Sequence, residues 1–217
     1  MEKRILNRGK KYGNFRGGVV KHIHGCYADR GRECVYILTG DENKESGIWK
    51  ATDNFTKVEP LLLGSQQFRT CQMNFIGSDL YYFTDAPSEN NYMYRYTEGK
   101  IERICRLKGT CIWGCNFQGG GFYSTTCEPN KDGKNKIDYW LTNKSGNGVV
   151  GNTVEVFAVN NEWKIEGIIK FEHDGFPLRL FQYGTVAFTN AMDKKTYFTP
   201  LCVKKYDMSV FEITEES

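Results

Sequence analysis

Short apolar and aromatic runs alternate along the chain with punctuation by Gly, Asn, Asp and charged residues. Runs rich in β-branched and aromatic residues, bounded by turn formers, predict β-strands. Four runs share an ending: Cys34–Asp41, Asp79–Asp85, Gly121–Glu128 and Gly184–Asn190 are each an apolar strand that reaches a Thr and then a small or polar residue. Upstream of each lies one more strand-like run, Lys21–Cys26, Phe68–Met73, Thr110–Cys115 and Leu178–Tyr183. Downstream of the first three come Gly47–Lys50, Tyr92–Tyr96 and Val154–Phe157, followed by Lys57–Leu61, Lys100–Ile104 and Trp163–Ile169. The fourth continues with Tyr197–Thr199 and Val210–Ile213. Each unit therefore reads as four short strands.

The terminal Thr residues set the period. Thr39 to Thr84 is 45 residues, Thr84 to Thr126 is 42, and Thr126 to Thr189 is 63, the last gap lengthened by a Gly-, Asn- and Lys-rich insertion near 131–151. A four-strand repeat of about 40–45 residues is the signature of a propeller blade. One small twisted sheet cannot bury both faces alone, and stacking such sheets around an axis does so. The expected fold is all-β, a β-propeller of about four four-stranded blades over 19–217, either a small ring or an incomplete arc that a second copy of the chain completes. A two-sheet sandwich is the competing architecture, but it does not require the internal repeat. Residues 1–18 carry Lys3, Arg4, Arg8, Lys10, Lys11 and Arg16 and read as a basic, solvated tail rather than a nucleic-acid arm.

Composition sharpens this picture. Aromatics make up 14% of the 217 residues and Gly occurs 23 times, against 5 Pro, a balance that suits strands joined by tight turns. A net charge of +3, with its basic residues spread along the chain, gives no nucleic-acid footprint. No apolar run approaches the roughly 20 residues of a membrane span, and no apolar stretch follows the basic start as in a secretory signal. The expectation is a cytoplasmic protein, or an extracellular one if the chain is a fragment. The eight cysteines form no CxxC pair and sit mostly in apolar runs, so they read as free thiols used as small core residues.

Five stretches carry a resemblance. Ala51–Val58 resembles a degenerate Asp box, the hairpin turn of sialidase-like propellers, with Thr52, Asp53 and Thr56 in place and the Gly missing. Lys21–Gly25, Leu38–Asn43, Gly64–Arg69 and Phe83–Pro87 together resemble a set of uncharacterised bacterial sialidase-like repeat proteins, some described as glycosyl-hydrolase-like or as encoded with surface-polysaccharide genes. The resemblance covers about residues 20–130. It implies a propeller and points to glycans, with an acidic oligosaccharide or polysaccharide as partner.

The candidate chemistry lies on the first strands and on the loops after the Thr strands. His22 and His24 are two apart, so they share a strand face and could hold a divalent metal or act as acid and base. Asp41, Asp85 and Glu128 fall at equivalent ends of successive units, where paired carboxylates could hydrolyse a glycosidic bond. Turn capping is the plain alternative for them. Arg69 and Arg179 occupy similar places in the repeat and could clamp a sugar carboxylate with a guanidinium fork. Gln67, in the Gly64–Arg69 stretch, and His173, ahead of the fourth unit, complete the candidate ligand-binding set. Trp113, Tyr139 and Trp140 could stack on sugar rings. No phosphate loop, dinucleotide fingerprint or nucleophile elbow occurs. The expected function is glycan binding or glycan processing, as a glycoside hydrolase or polysaccharide lyase if enzymatic. The alternative is a non-catalytic protein-interaction scaffold.

Overall fold

The computed structural model describes residues 20–117, 119–129, 135–189 and 195–213. The basic tail over 1–18 and residues 131–134 of the insertion lie outside these. The described chain is all-β, with four antiparallel sheets and one short helix. Sheet 1 holds β1 (His22–Asp29), β2 (Cys34–Gly40), β3 (Gly47–Thr52) and β4 (Lys57–Leu63). Sheet 2 holds β5 (Thr70–Ile76), β6 (Asp79–Thr84), β7 (Tyr92–Thr97) and β8 (Lys100–Arg106). Sheet 3 holds β9 (Thr110–Phe117), β10 (Gly120–Thr126), β11 (Thr153–Val159) and β12 (Ile165–Glu172), with helix α1 (Lys136–Leu141) between β10 and β11. Sheet 4 has only β13 (Thr185–Phe188), β14 (Thr196–Leu201) and β15 (Phe211–Ile213). Within each sheet the strands lie in chain order, so every sheet is a meander.

The fourth unit departs from the expected repeat. Leu178–Tyr183 forms turns rather than a strand, and β13 takes the first place in its sheet instead of the second. The first strands approach one another in series, β1 to β5, β5 to β9 and β9 to β13. The periodic match of Thr189 with Thr39, Thr84 and Thr126 is therefore one strand out of step. Arg179, on the turn, is not the counterpart of Arg69, which immediately precedes β5.

Sheets pack face to face through three cores. Cys34, Tyr36, Leu38 and Ile48 of sheet 1 meet Met73, Leu80, Tyr82 and Tyr94 of sheet 2. Tyr81, Phe83 and Met93 of sheet 2 meet Cys111, Tyr123, Phe157 and Val159 of sheet 3. Val154, Val156 and Phe171 of sheet 3, with Cys127 just after β10, meet Val186 and Phe198 of sheet 4. Strand β6 explains why its sequence shows no polar alternation: Leu80 and Tyr82 point one way and Tyr81 and Phe83 the other, and both faces are covered. The outer strands β4, β8 and β12 are largely exposed and carry Lys57, Glu59, Lys100, Glu102, Glu166 and Lys170, charges that discourage edge-to-edge pairing. Pro60 sits at the register irregularity of the β3–β4 pair, where a missing N–H costs least.

The recurring Thr has a local task. The Thr84 hydroxyl donates to Asn91 at 2.9 Å and accepts from the Tyr92 amide at 2.8 Å. The Thr39 hydroxyl donates to the Glu45 carbonyl at 2.6 Å and accepts from the Trp49 indole at 3.0 Å. Each closes the connection to the third strand. The turn resembling an Asp box is closed at the Asp53 carbonyl, which accepts from the Thr56 amide at 3.1 Å and hydroxyl at 2.8 Å, with Asn54 in the left-handed region. All eight cysteines are free thiols, and Cys34, Cys71, Cys111, Cys115 and Cys127 are buried. Among the described residues no helix is long and apolar enough to cross a membrane.

Candidate functional site

In an antiparallel pair the start of one strand lies beside the end of the next, and the register places His22 opposite Gly40, Thr70 opposite Thr84 and Thr110 opposite Thr126. Residues just before the first strands and just after the second strands therefore gather at one end. Asp41 follows β2, Arg69 precedes β5, Asp85 follows β6 and Glu128 follows β10.

Arg69 is the hub, its side chain only 6% exposed. Its Nε lies 3.3 Å from Asp85 Oδ2, and its Nη2 lies 3.8 Å from Asp41 Oδ1 and 3.9 Å from Glu128 Oε1. The Asp41 and Glu128 oxygens thus flank the same guanidinium nitrogen. Burial opposes the guanidinium charge, but Asp85, Glu128 and Asp41 outweigh it and raise the Arg69 pKa. Burial likewise lifts Asp85 above its ordinary carboxylate value, against the pull of Arg69 and His24. The Cys71 thiol donates to Asp85 at 3.4 Å and is itself pushed well up by burial and by that neighbouring carboxylate. Tyr183 is raised by burial first, then by Glu128 and Asp85, which places it by the same group.

The histidines complete the cluster on the sheet 1 side. His22 Nδ1 is 2.8 Å from Asp41 Oδ2, and His24 lies between two carboxylates, its Nε2 3.6 Å from Asp41 Oδ1 and its Nδ1 3.9 Å from Asp85 Oδ2. A register shift between Ile23 and Gly25 marks a bulge at His24, and both histidines of β1 reach the same Asp. Gln66 donates to the Asp41 carbonyl at 2.9 Å and holds that loop in place. Asn91, fully buried, bonds the Ala86 amide at 2.8 Å and the Gly148 carbonyl at 3.1 Å, fixing the loop that carries Asp85 against the insertion. Only glycine fits at 148, where a Cβ would come within 1.8 Å of the Glu89 carbonyl oxygen.

Glu128 also lines an open cleft of about 450 Å³ with Tyr139, Trp140, Leu178, Arg179 and Tyr183. The Arg179 guanidinium stacks 3.8 Å above the Tyr139 ring and donates to its hydroxyl at 3.1 Å. Trp140 is half exposed on that wall.

The structure thus brings His22, His24, Asp41, Arg69, Asp85 and Glu128 together, and sets Arg179 in the adjoining cleft. Gln67 lines a different, polar cleft of about 600 Å³ with Gln66, Ser88, Asn90 and Tyr92. His173 is buried at the end of β12, its Nε2 3.2 Å from Asp174 and its Nδ1 accepting from the Gly175 amide, and these contacts are local. Trp113 is exposed on β9. Sequence reasoning missed Cys71, Gln66 and Tyr183. Cys71 lies two residues after Arg69 but reads as a core thiol, and Tyr183 sits in a run that reads as a strand. No family model matches the chain, and no curated protein matches it.

Proposed function

We propose that the four sheets are blades of a sialidase-like propeller arc, and that the chain binds or processes a glycan where the first strands begin. The observation that carries this reading is the convergence of Asp41, Asp85 and Glu128 on Arg69 from three successive sheets, beside a cleft walled by Tyr139 and Trp140. Aromatic faces suit the apolar faces of sugar rings. Asp85 is buried and raised in pKa beside two part-exposed carboxylates, the split of environments that acid–base catalysis on a glycoside uses. Arg69 is already surrounded by the chain's own carboxylates, so its role is to position them. Arg179, on the cleft wall, is the cation placed to meet an acidic sugar.

The test is calorimetric titration with neutral, uronate-containing and sialate-containing oligosaccharides. Binding that falls at least tenfold in Trp140→Ala, with the far-UV spectrum unchanged, supports the reading. A preference for acidic sugars that disappears in Arg179→Gln assigns the carboxylate contact. No binding of any glycan by the wild-type chain refutes it. A second reading, an interaction scaffold, is favoured by one observation: Ile137, Trp140, Leu141, Phe176, Leu180 and Phe181 are all exposed on α1 and the turns before β13. Glycan-independent self-association lost in Phe181→Ser would favour it.

A further inference from the structure

The geometry points to a divalent transition-metal site formed by His22, His24 and Asp41, with Asp85 as the residue that orients His24. The site shares Asp41 with the carboxylate cluster, but the argument for it stands without the glycan reading. One ligand atom from each of the three residues lies within 4.8 Å of the other two. Tetrahedral zinc, with bonds of about 2.0–2.1 Å, sets its ligand atoms about 3.3 Å apart. The 2.8 and 3.6 Å separations of the histidine nitrogens from the Asp41 oxygens bracket that value. Two imidazoles and a carboxylate select zinc or its neighbours over magnesium or calcium, which prefer all-oxygen sets.

Three further features make this a built site rather than a chance grouping. His24 is 90% withdrawn from solvent, and its Nδ1 has no hydrogen-bond partner. That nitrogen faces Asp85 at 3.9 Å, just beyond hydrogen-bond reach, while Nε2 faces Asp41, so Asp85 stands behind the ring in the carboxylate–histidine–metal order. Second, the His24 ring rests against Gly40, where a Cβ would stand 2.4 Å from Cε1, so the backbone is hollowed to receive it. Third, the charges fit. Asp41 lies in a cluster with Asp85 and Glu128, carboxylates whose field favours a cation at this end.

The group His24, Cys71 and Asp85 also has ligand spacing, but it is the poorer choice. It would require a buried thiol to lose its proton, and both Cys71 and Asp85 are buried away from any entry path. The His22 group has an entry path instead, since the His22 side chain is 64% exposed and Asp41 18% exposed. Three protein ligands leave a fourth position open to water or to a ligand hydroxyl, as in catalytic zinc sites.

The test is titration of the full chain with Zn²⁺ and with Co²⁺, in reduced form and without glycan. The expected result is one ion per chain, a raised melting temperature, and a Co²⁺ spectrum with visible ligand-field bands but no thiolate charge-transfer band. His22→Gln, at an exposed position, should weaken binding at least tenfold without loss of fold. Gly40→Ala should do the same by displacing His24, and Asp85→Asn should weaken binding about 10–100-fold as an orienting residue. Cys26→Ser should leave it unchanged. No binding at roughly 1 mM Zn²⁺ overturns the proposal. So does binding that His22→Gln and Asp41→Asn leave intact, or a thiolate spectrum. Glycan titration repeated in EDTA separates failure of this site from failure of the glycan reading.

Discussion

Replacing Arg69 with Met removes the cation on which three carboxylates converge while keeping much of its volume. Its nitrogens stand 3.3, 3.8 and 3.9 Å from oxygens of Asp85, Asp41 and Glu128. At an effective dielectric of about 20, each separation corresponds to about 4–5 kcal/mol of attraction. Several kcal/mol of desolvation for the buried guanidinium oppose this. Removing one partner of a buried pair, which strands its counter-charge, costs about 3–5 kcal/mol, and the same loss is expected here at pH 7. The pH dependence distinguishes this cause from simple loss of packing. Without Arg69, burial of Asp85 is opposed mainly by His24, so its folded pKa rises further above the unfolded value of 3.8. A carboxyl with a raised folded pKa destabilises the fold once pH exceeds the unfolded pKa, and the penalty fades as pH falls towards it. The deficit of Arg69→Met should therefore be largest near neutrality and shrink towards pH 4. Urea denaturation at a series of pH values measures it, and Asp85→Asn in the same background should recover part of the loss through a double-mutant cycle. A deficit below about 1 kcal/mol, or one that does not change with pH, would refute the electrostatic account.

Three more expectations follow from the packing and the buried charges. Phe83→Ala should cost about 3–5 kcal/mol in denaturant unfolding, because its ring lies 4.2 Å from that of Tyr123 in the core between sheets 2 and 3. Glu45 is held down to about 2 by the backbone amides of Glu42, Lys21 and Asp41, so its contribution is present above its unfolded 4.5 and is lost as pH falls towards 2; Glu45→Gln should lower the melting temperature at pH 7 and flatten the profile across that window. Native thiol labelling should modify Cys26 first and Cys105 and Cys202 more slowly, while Cys71 and Cys111, buried and raised in pKa, should react only on unfolding; fast labelling of Cys71 in the native chain would contradict the closed cluster.

The strands themselves were legible in the chain, because local pattern decides them. Runs such as Leu80–Phe83 and Tyr92–Tyr96 carry aromatic and β-branched residues between turn formers, and the Thr period marks the first three units. The end of the molecule that holds Asp41, Arg69, Asp85 and Glu128 was legible too, since an antiparallel hairpin puts the start of one strand beside the end of the next. The fourth unit was not. Leu178–Tyr183 has the composition of a strand, yet Leu178 is drawn into the core beside Val186 and Phe198, while Arg179 turns to Tyr139 and β13 takes the first position in its sheet. That choice depends on contacts with sheet 3 and the insertion, which no local pattern records. The partner of each charge was likewise a tertiary matter. Residue type marks Arg69 as a cation, but only packing makes it the hub of three carboxylates, and only the hollow at Gly40 sets His24 between Asp41 and Asp85. Strand formation follows from neighbours a few residues apart, whereas the geometry of a site follows from side chains tens of residues apart that meet only after the sheets have stacked.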